Sequence, residues 1–424
     1  MGLRNTSVES QVERAADDPL RVLVVGAGIA GVSLAQSLRH AGWHPVVIER
    51  ARDERPPGYM LALMPMVDPL IDDLGIRPRY LAESVELGRY AFRSHAGRAL
   101  RTDSMAGILD RFGDYRGITR GRLLETLADG GCDVAFETTV AAMTEHRESV
   151  TVSLVTDGVA REREFDLVVV ADGIRSSTRE LIPGATPIEV VDTGWAGWVV
   201  WAEADADTDL AEEIWGAGFI LGTYPVKGRV GVFLGGPADD LQSGPAAFVD
   251  TVRAKLTTIA PRVDRALRAV ADDPDPYYWA LDDGRAARWT TARTVLLGDA
   301  AAGFLPTAGI GAGMAMESAW VLGRLLRHTP AIGLGEVLTR YEAAQRPRVE
   351  AAQDNSRQLA RYMFSRSRAI AVVRETTMRL LSVEVVLRPI RRLLEAQPDP
   401  GRIASGHGSP ERAAAARHAA GSAG

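Results

Sequence analysis

The chain has 424 residues, of which 46% are apolar and 25% are charged, a balance typical of globular proteins. Such a length exceeds one ordinary hydrophobic core and predicts two interlocked domains or one large domain. The formal net charge is −6, so no overall positive field would attract nucleic acid, and we expect no nucleic-acid partner.

Cysteine content and the distribution of apolar residues indicate the cellular location. Cys132 is the only cysteine, so the fold cannot depend on an internal disulfide. No stretch approaches the roughly 18 apolar residues of a membrane span, so we expect no transmembrane segment. Residues 365–394 mix arginines with apolar residues, which would suit peripheral membrane contact, but helices that close over a nucleotide-binding domain are the favoured interpretation. We expect a cytoplasmic protein.

The chain begins with a polar segment, residues 1–19, for which we predict a disordered leader. Residues 21–26 (RVLVVG) then predict a buried strand, residues 29–41 a helix, and residues 44–49 (HPVVIE) a second strand. Strand, helix and strand in this order predict a βαβ unit.

A GxGxxG motif, residues 26–31, joins the first strand to the helix, where a dinucleotide site requires it. Gly26 permits the tight turn, Gly28 leaves room for a pyrophosphate, and Gly31 allows close packing of helix and strand. Glu49 ends the next strand, where an acid binds ribose hydroxyls and disfavours the 2′-phosphate of NADP, so NAD and FAD remain. The residues predicted to bind the nucleotide here are Gly26, Gly28, Ile29, Ala30, Gly31, Glu49 and Arg50.

Later segments predict further strands and then helices. Residues 85–102 and 133–170 are rich in strand-forming patterns, and residues 186–235 predict a second, mainly antiparallel sheet. The carboxyl-terminal part is predicted to contain helices at about 312–327 and 334–394 and a disordered tail at 397–424.

Two more glycine–acid pairs follow predicted buried strands. An Asp-Gly pair at 172–173 follows DLVVVA, and a Gly-Asp pair at 298–299 follows TVLL and precedes a Pro/Gly loop at 306–311. Together with the GxGxxG motif, in this order and at these separations, the segments resemble the para-hydroxybenzoate hydroxylase family of FAD-dependent monooxygenases, the single-component aromatic hydroxylases. The resemblance extends from about residue 20 to residue 395.

This resemblance implies FAD as the resident cofactor and suggests roles for three charged residues. Asp172 would lie near the FAD pyrophosphate and the nicotinamide, and Asp299 would bind the ribityl chain. Arg120, in the pattern Arg-Gly-Arg-Leu, would reach the phosphate region of FAD.

The loop at 306–311 and the helix after it would contact the flavin ring. Pro306 would form a rigid wall without a donor beside the reactive edge of the ring. Gly309 and Gly311 would let the backbone approach closely, and a helix beginning near Ala312 would direct its N–H groups at the pyrimidine edge.

The implied fold is α/β, with a Rossmann-like FAD-binding domain assembled from discontinuous segments, an inserted, mainly antiparallel β-sheet substrate domain, and C-terminal helices. Its predicted boundaries are 20–80, 103–185 and 286–330 for the FAD-binding domain, 81–102 and 186–285 for the substrate domain, and 331–396 for the C-terminal helices.

The reaction implied by the resemblance uses NADPH or NADH as a transient reductant of FAD. A flavin C4a-hydroperoxide would then insert one oxygen atom from O2 into an aromatic, polycyclic or terpenoid-like small molecule. The flavin carries this chemistry, so no catalytic side chain is predicted. No metal site is predicted either, because the seven His residues lack metal-ligand spacing and one cysteine excludes thiolate clusters. The oligomeric state is not predicted.

Alternative functions share the outer fold. A flavin-dependent reductase of isoprenoid chains would saturate double bonds and turn over without oxygen. A flavin halogenase would require a tryptophan-rich motif ending in Ile-Pro, which GWAGWVVW at 194–201 lacks. A flavin-binding protein without catalytic activity is the remaining alternative.

Several apolar residues are candidates for the substrate pocket, although each would equally suit core packing. On a strand, Trp195 and Trp201 would share one face and Trp198 the other, so tryptophans would be available to hold a flat substrate. Family residues are replaced at four positions, which here carry Val170, Val199, Ala302 and Gly313. The predicted pocket residues are Met60, Leu61, Trp198 and Met314.

Overall fold

The computed structural model describes residues 2–52, 58–109, 111–185, 187–380 and 387–406. The strands are β1 (Leu3–Asn5), β2 (Val22–Val25), β3 (Val46–Ile48), β4 (Met60–Leu63), β5 (Val85–Glu86), β6 (Arg89–Arg93), β7 (Ala99–Ser104), β8 (Arg116–Thr119), β9 (Cys132–Val134), β10 (Thr138–Glu145), β11 (Val150–Thr156), β12 (Val159–Phe165), β13 (Leu167–Val170), β14 (Glu189–Glu203), β15 (Leu210–Trp215), β16 (Ile220–Val226), β17 (Arg229–Pro237), β18 (Tyr277–Arg285), β19 (Thr294–Leu296) and β20 (Ala302–Gly303). The helices are α1 (Val8–Arg14), α2 (Ile29–His40), α3 (Asp68–Asp73), α4 (Arg77–Glu83), α5 (Ala106–Leu109), α6 (Arg120–Leu127), α7 (Ala238–Leu241), α8 (Pro245–Lys255), α9 (Pro261–Asp272), α10 (Gly311–Leu326), α11 (Thr329–Ile332), α12 (Leu334–Met363), α13 (Arg368–Leu380), α14 (Arg388–Glu395) and α15 (Pro400–Ala404).

A four-stranded parallel sheet in the order β19-β13-β2-β3 forms the centre of the nucleotide-binding half. Its strands are short runs rich in Val, Leu and Ile that are buried along their whole length, as expected for a sheet covered on both faces. Helix α2 connects β2 to β3, so the predicted βαβ unit is confirmed. Because parallel strands end at one edge, the turns after β2, β13 and β19 are neighbours.

The leader predicted to be disordered is ordered, and that prediction is wrong for residues 2–19. Strand β1 pairs in parallel with β9, and helix α1 packs against β3. Gln11 is buried and extends the sheet edge, because its side-chain amide donates to Val47 O at 3.3 Å and accepts from Val47 N at 2.8 Å. The leader is ordered because Gln11 supplies a partner for the buried backbone N–H of Val47, whereas the carbonyl oxygen of Val47 also accepts from Ala135 N.

We expect Gln11→Ala to lower the free energy of unfolding by about 2 kcal/mol, because it leaves the buried backbone N–H of Val47 without a partner. Urea unfolding followed by circular dichroism measures the loss. Glu13→Ala, at an exposed position of the same helix, is the control and should change stability by less than about 0.5 kcal/mol. Equal effects of the two substitutions would contradict the anchoring role of Gln11.

The second large element is an eight-stranded sheet in the order β20-β18-β14-β17-β16-β15-β6-β7. All its pairs are antiparallel except β15 with β6, which matches the mainly antiparallel substrate sheet that was predicted. One face of this sheet packs against α8 and α9 in a separate hydrophobic cluster. The opposite face is directed toward the nucleotide-binding half.

Helices complete the molecule at its carboxyl-terminal end. Helix α10 packs against α2, and α12 packs against α10, α14 and α15. The helix predicted at about 312–327 is observed as α10, and the mostly helical region predicted at about 334–394 contains α12, α13 and α14, with residues 381–386 outside the described residues. The prediction of a disordered tail is wrong for its first part, because α15 is a helix. Asp399 caps this helix, since its carboxylate accepts hydrogen bonds from the backbone N–H groups of Gly401 and Arg402. The rest of the predicted tail, residues 407–424, lies outside the described residues. None of the helices in the described ranges is both long and apolar enough to cross a membrane.

Candidate active site

A cleft of about 940 Å³ lies between the parallel sheet and the eight-stranded sheet. At one end it is bounded by the turns that follow β2, β13 and β19, and at the other by aromatic side chains of β6, β15 and β16. Helix α13 and the amino-terminal end of α10 form further parts of the wall. The three motif-bearing turns, which are far apart in the sequence, therefore meet in one site.

The Gly-rich turn after β2 has a shape that only glycine allows at two positions. Gly26 has φ +104°, and a Cβ there would lie 2.5 Å from the carbonyl oxygen of Ala171. A Cβ at Gly31 would lie 1.9 Å from the carbonyl oxygen of Gly26, so close packing of helix and turn requires glycine. A Cβ at Gly28 would have no atom within 4 Å and would extend into the cleft. The turn thus leaves open space where a ligand can approach the backbone.

The acid at the end of β3 is fixed beside this turn. Glu49 accepts a hydrogen bond from the backbone N–H of Ala27 at 2.9 Å and another from Ala51 at 3.0 Å. Glu49 and its neighbour Arg50 both line the cleft. This places a carboxylate and a guanidinium at the end of the cleft where the glycine turn lies.

The turn after β13 carries an oxygen with unused hydrogen-bonding capacity. Asp172 Oδ2 accepts from the backbone N–H of Thr178 at 3.4 Å, whereas Oδ1 is buried and has no partner among the described residues. An acceptor buried without a partner is costly, so this oxygen fits the donors of a bound cofactor. Arg179 instead donates to the carbonyl oxygens of Ala300 and Ile174, which ties this turn to the turn after β19.

Asp299 faces the cleft floor on the turn after β19. Asp299 is exposed to the open cleft, but the protein atoms packed around its carboxyl group partly desolvate it and raise its pKa to about 6 from the usual 3.8. Arg120 lines the same part of the cleft and interacts with the hydroxyl of Tyr59. Burial raises the pKa of Tyr59 to about 12, so its hydroxyl is protonated.

We expect Asp299→Asn to raise the melting temperature of the FAD-free protein at pH 7.5 only slightly, because Asp299 is exposed to the open cleft and solvent screens much of the cost of its charge. The folded-state pKa of about 6 exceeds the usual 3.8, so the folded form binds more protons than the unfolded form between these values. The stability contribution of Asp299 therefore falls as pH rises through this window and stays unfavourable above it. Thermal scans should show the gain at pH 7.5 and little difference from the native protein near pH 4.

The same substitution should weaken FAD binding by roughly tenfold, because one charged acceptor for the ribityl hydroxyls is lost. Asp192→Asn, at a position outside the cleft, is the control for both measurements. A melting temperature that does not rise at pH 7.5 would show that desolvation does not destabilise the Asp299 carboxylate in the FAD-free cleft.

The loop between β20 and α10 narrows the cleft. Gly309 has φ +62°, in the left-handed region that favours glycine, and it ends a short 3₁₀ turn that begins at Pro306. A Cβ at Gly311 would lie 3.1 Å from Phe304 Cβ, so the start of α10 packs tightly on the loop. Since Gly311 and Ala312 line the cleft, the positive end of the dipole of this 16-residue helix faces it.

Most of the residues predicted from the motifs lie on the cleft wall. Gly31 lies behind the turn, where it contacts the backbone of Gly26, and it fulfils the packing role predicted for it. The predicted residues that line the cleft are Gly26, Gly28, Ile29, Ala30, Glu49, Arg50, Met60, Leu61, Arg120, Asp172, Asp299, Pro306, Gly309, Gly311 and Ala312.

Two predicted pocket residues do not line the cleft, and these predictions are wrong. Trp198 belongs to the opposite face of the eight-stranded sheet, where its ring lies 6.0 Å from that of Phe248 under α8. Strand alternation explains this, because Trp198 shares its face of β14 with Ala196 and Val200, which pack in the same hydrophobic cluster against α8 and α9. Met314 is buried in the main core, one turn into α10.

The aromatic end of the cleft contains a buried carboxylate that the sequence analysis missed. Glu213 accepts a hydrogen bond from Trp215 Nε1 at 2.6 Å and a short one from the hydroxyl of Tyr224. Tyr90 is also within hydrogen-bonding reach of this carboxylate. Burial raises the pKa of Glu213, and the three donors oppose that shift. A carboxylate within a run of aromatic and aliphatic residues, LAEEIW, was the available signal.

Comparisons with known proteins agree with this geometry. A family model described as FAD binding domain matches residues 19–356. The chain is 30% identical over 345 residues to the FAD-dependent urate hydroxylase of Klebsiella pneumoniae, across 78% of this chain and 87% of that protein. It is also 30% identical over 361 residues to 2-heptyl-3-hydroxy-4(1H)-quinolone synthase of Pseudomonas aeruginosa, across 78% of this chain and 86% of that protein.

Solved structures are similar over nearly the whole chain. The crystal structure of an HpxO variant from Klebsiella pneumoniae in complex with FAD aligns with a TM-score of 0.76 at 26% identity, covering 89% of this chain and 99% of that one. The predicted fold class and the predicted cofactor are both confirmed by these similarities. Since the family match spans most of the chain and the motif-bearing turns converge on one cleft, this chain belongs to the FAD-binding family of flavin-dependent monooxygenases related to para-hydroxybenzoate hydroxylase.

Proposed function

We propose that this enzyme uses NADPH or NADH and O2 to insert one oxygen atom into a flat aromatic or heteroaromatic small molecule. The observation that carries the proposal is the continuity of the cleft, which joins a glycine turn suited to a pyrophosphate to a chamber walled by aromatic side chains. An extended dinucleotide would bridge these two ends and present its reactive ring to a substrate in the chamber. We propose a cytoplasmic location, where both nicotinamide cofactors are available.

The residues of the nucleotide end would hold FAD through complementary chemistry. The backbone at Gly28 and the guanidinium of Arg120 suit the pyrophosphate, because one offers open space and the other a positive charge. Glu49 suits the ribose hydroxyls of the adenosine, and Asp299 those of the ribityl chain. The unpartnered Oδ1 of Asp172 supports a cofactor donor or ordered water at this position.

When bound and reduced, the flavin supplies the electrons that place one atom of O2 in the substrate and the other in water. The chain's own contribution is electrostatic and steric. The amino-terminal end of α10 faces the cleft and would stabilise negative charge on the bound cofactor. Pro306 and Phe304 restrict water at the cleft wall, which protects the reaction from unproductive collapse.

The aromatic walls favour a planar substrate. Trp215, Trp279 and Phe233 line the chamber, and rings of this kind stack on flat ligands or contact them edge to face. The names of the two relatives describe action on urate and on a quinolone, which are flat nitrogen heterocycles. Neither name describes a terpenoid substrate, so terpenoids are included in the test below as the alternative class of substrate.

The test measures consumption of NADPH and of NADH by the FAD-loaded protein across a panel of heteroaromatic, polycyclic aromatic and terpenoid compounds under ¹⁸O2. We expect a heteroaromatic compound to stimulate consumption and to gain one ¹⁸O atom, detected by mass spectrometry. Turnover that continues without oxygen and saturates a double bond would support the reductase alternative. Stimulated consumption with no label in any product would contradict the monooxygenase proposal.

A further inference from the structure

The aromatic end of the chamber is organised around Glu213, which is only 5% exposed. Its partner on β16 is Gly222, and a Cβ at that position would lie 2.8 Å from the hydroxyl of Tyr224. The missing side chain at Gly222 therefore lets Tyr224 fold back across the strand and reach the carboxylate. Glu212 points to the other face of the same strand, where it pairs with Arg93 at 2.7 Å.

The tyrosine hydroxyls around Glu213 donate their hydrogens to its carboxylate, but their oxygens can still accept a hydrogen bond. Tyr224 donates to Glu213, and Tyr90 lies within reach of the same group. A hydroxyl oxygen that donates its hydrogen still has lone pairs to accept from a ligand. Both tyrosines and Glu213 line the cleft, so a ligand here meets acceptor atoms backed by a buried negative charge.

A donor with unused capacity lies near these acceptors. Arg374 of α13 is buried, and its terminal nitrogens donate to the carbonyl oxygens of Trp215, Gly216, Tyr362 and Met363. Its Nε is buried and has no partner among the described residues. Trp215 Nε1 donates to Glu213, and the carbonyl oxygen of Trp215 accepts from Arg374. The acceptor group around Glu213 and the unpartnered Nε of Arg374 therefore lie on either side of Trp215.

We propose that Glu213 is a specificity-determining residue, and that this end of the chamber selects uncharged heteroaromatic substrates that carry both a hydrogen-bond donor and a carbonyl acceptor. The ring N–H or O–H donates to the tyrosine oxygens, and the carbonyl accepts from Arg374 Nε. Aromatic carboxylates are excluded, because a second negative charge beside buried Glu213 is unfavourable. This inference rests on the proposed function, since it concerns the substrate of the same site.

The experiment is isothermal titration calorimetry of the FAD-loaded protein with three bicyclic probes of similar size. These are 4-quinolone, which has the donor and the carbonyl; quinoline, which lacks both; and quinoline-4-carboxylate, which is anionic. We expect 4-quinolone to bind at least about tenfold more tightly than either of the others. Equal or tighter binding of the carboxylate would overturn the proposal, as would no detectable binding of 4-quinolone at millimolar concentration.

Substitutions then test the role of the charge. Glu213→Gln should increase the affinity for quinoline-4-carboxylate relative to 4-quinolone by about tenfold. Glu212→Gln, on the opposite face of the same strand, is the matched control and should leave the ratio unchanged. If the Glu213→Gln protein folds and the ratio of the two affinities is unchanged, the proposed role of Glu213 is overturned. If that variant does not fold, the order in which the native protein binds the three probes decides.

Failure of this inference is distinguishable from failure of the proposed function. FAD-loaded protein that prefers the carboxylate contradicts the inference about Glu213 alone. An oxygen-independent reaction in the ¹⁸O2 test contradicts the proposed function while the binding preference for 4-quinolone stands.

Discussion

Gly28→Val is expected to weaken FAD binding severely while leaving the FAD-free fold intact. The added side chain meets no protein atom within 4 Å of its Cβ, and the backbone at Gly28 has φ −75°, which valine adopts without strain. It does fill the space where the pyrophosphate must approach the turn. We expect FAD affinity to fall by about a hundredfold or more, equivalent to about 3 kcal/mol of steric cost. Flavin fluorescence titration measures the affinity, and circular dichroism confirms folding.

Two controls define this result. Gly335→Val, at an exposed position of α12 with open space around its Cβ, should leave FAD affinity unchanged. Gly31→Ala should prevent proper folding, because its Cβ would lie 1.9 Å from the carbonyl oxygen of Gly26. Native-like FAD affinity in Gly28→Val would mean that the pyrophosphate does not approach this turn.

Arg348→Ala is expected to lower the free energy of unfolding by about 3 to 5 kcal/mol, the usual effect of breaking a buried ion pair. Glu317 on α10 is 1% exposed, and both its oxygens are bound by Arg348 of α12, at 2.7 and 2.9 Å. Arg348 also donates to Leu393 O and Ala396 O, so it holds α10, α12 and α14 together. Removing it leaves a buried charge without its partner. Denaturant unfolding measures the loss.

The matched control is Arg346→Ala on the same helix, whose guanidinium forms more exposed pairs with Glu342 and Glu350. Its loss should be about 1 kcal/mol or less. Replacing both members of the buried pair, as Glu317→Leu with Arg348→Met, should recover much of the stability lost in the single variant. A single variant as stable as the control would show that the pair contributes little.

Local sequence signals were sufficient for the nucleotide-binding half. Buried strands such as LVVV at 167–170 are continuous apolar runs, and a glycine or acid at the end of each run marks the edge where parallel strands terminate. The motifs therefore predicted both the fold and one end of the cleft. The leader was missed because seven residues of α1 carry little periodic signal, and their order depends on a distant partner in β3.

The chamber was harder to predict because it depends on register between distant strands. Alternation along β14 separates the two faces of the strand, but the sequence does not indicate which face meets the cleft, and Trp198 was assigned to the wrong one. Glu213 and Tyr224 are brought together by the pairing of β15 with β16 and by the missing side chain at Gly222. Arg374 reaches Trp215 only through the docking of α13.

The most direct test of the account is a crystal structure of the FAD-loaded protein. We predict an extended cofactor with its adenosine near Glu49, its pyrophosphate at Gly28, and its ring against Pro306 and the start of α10, open to the chamber at Glu213. Density for FAD outside this cleft, or a ring placed at the Gly28 end, would contradict it.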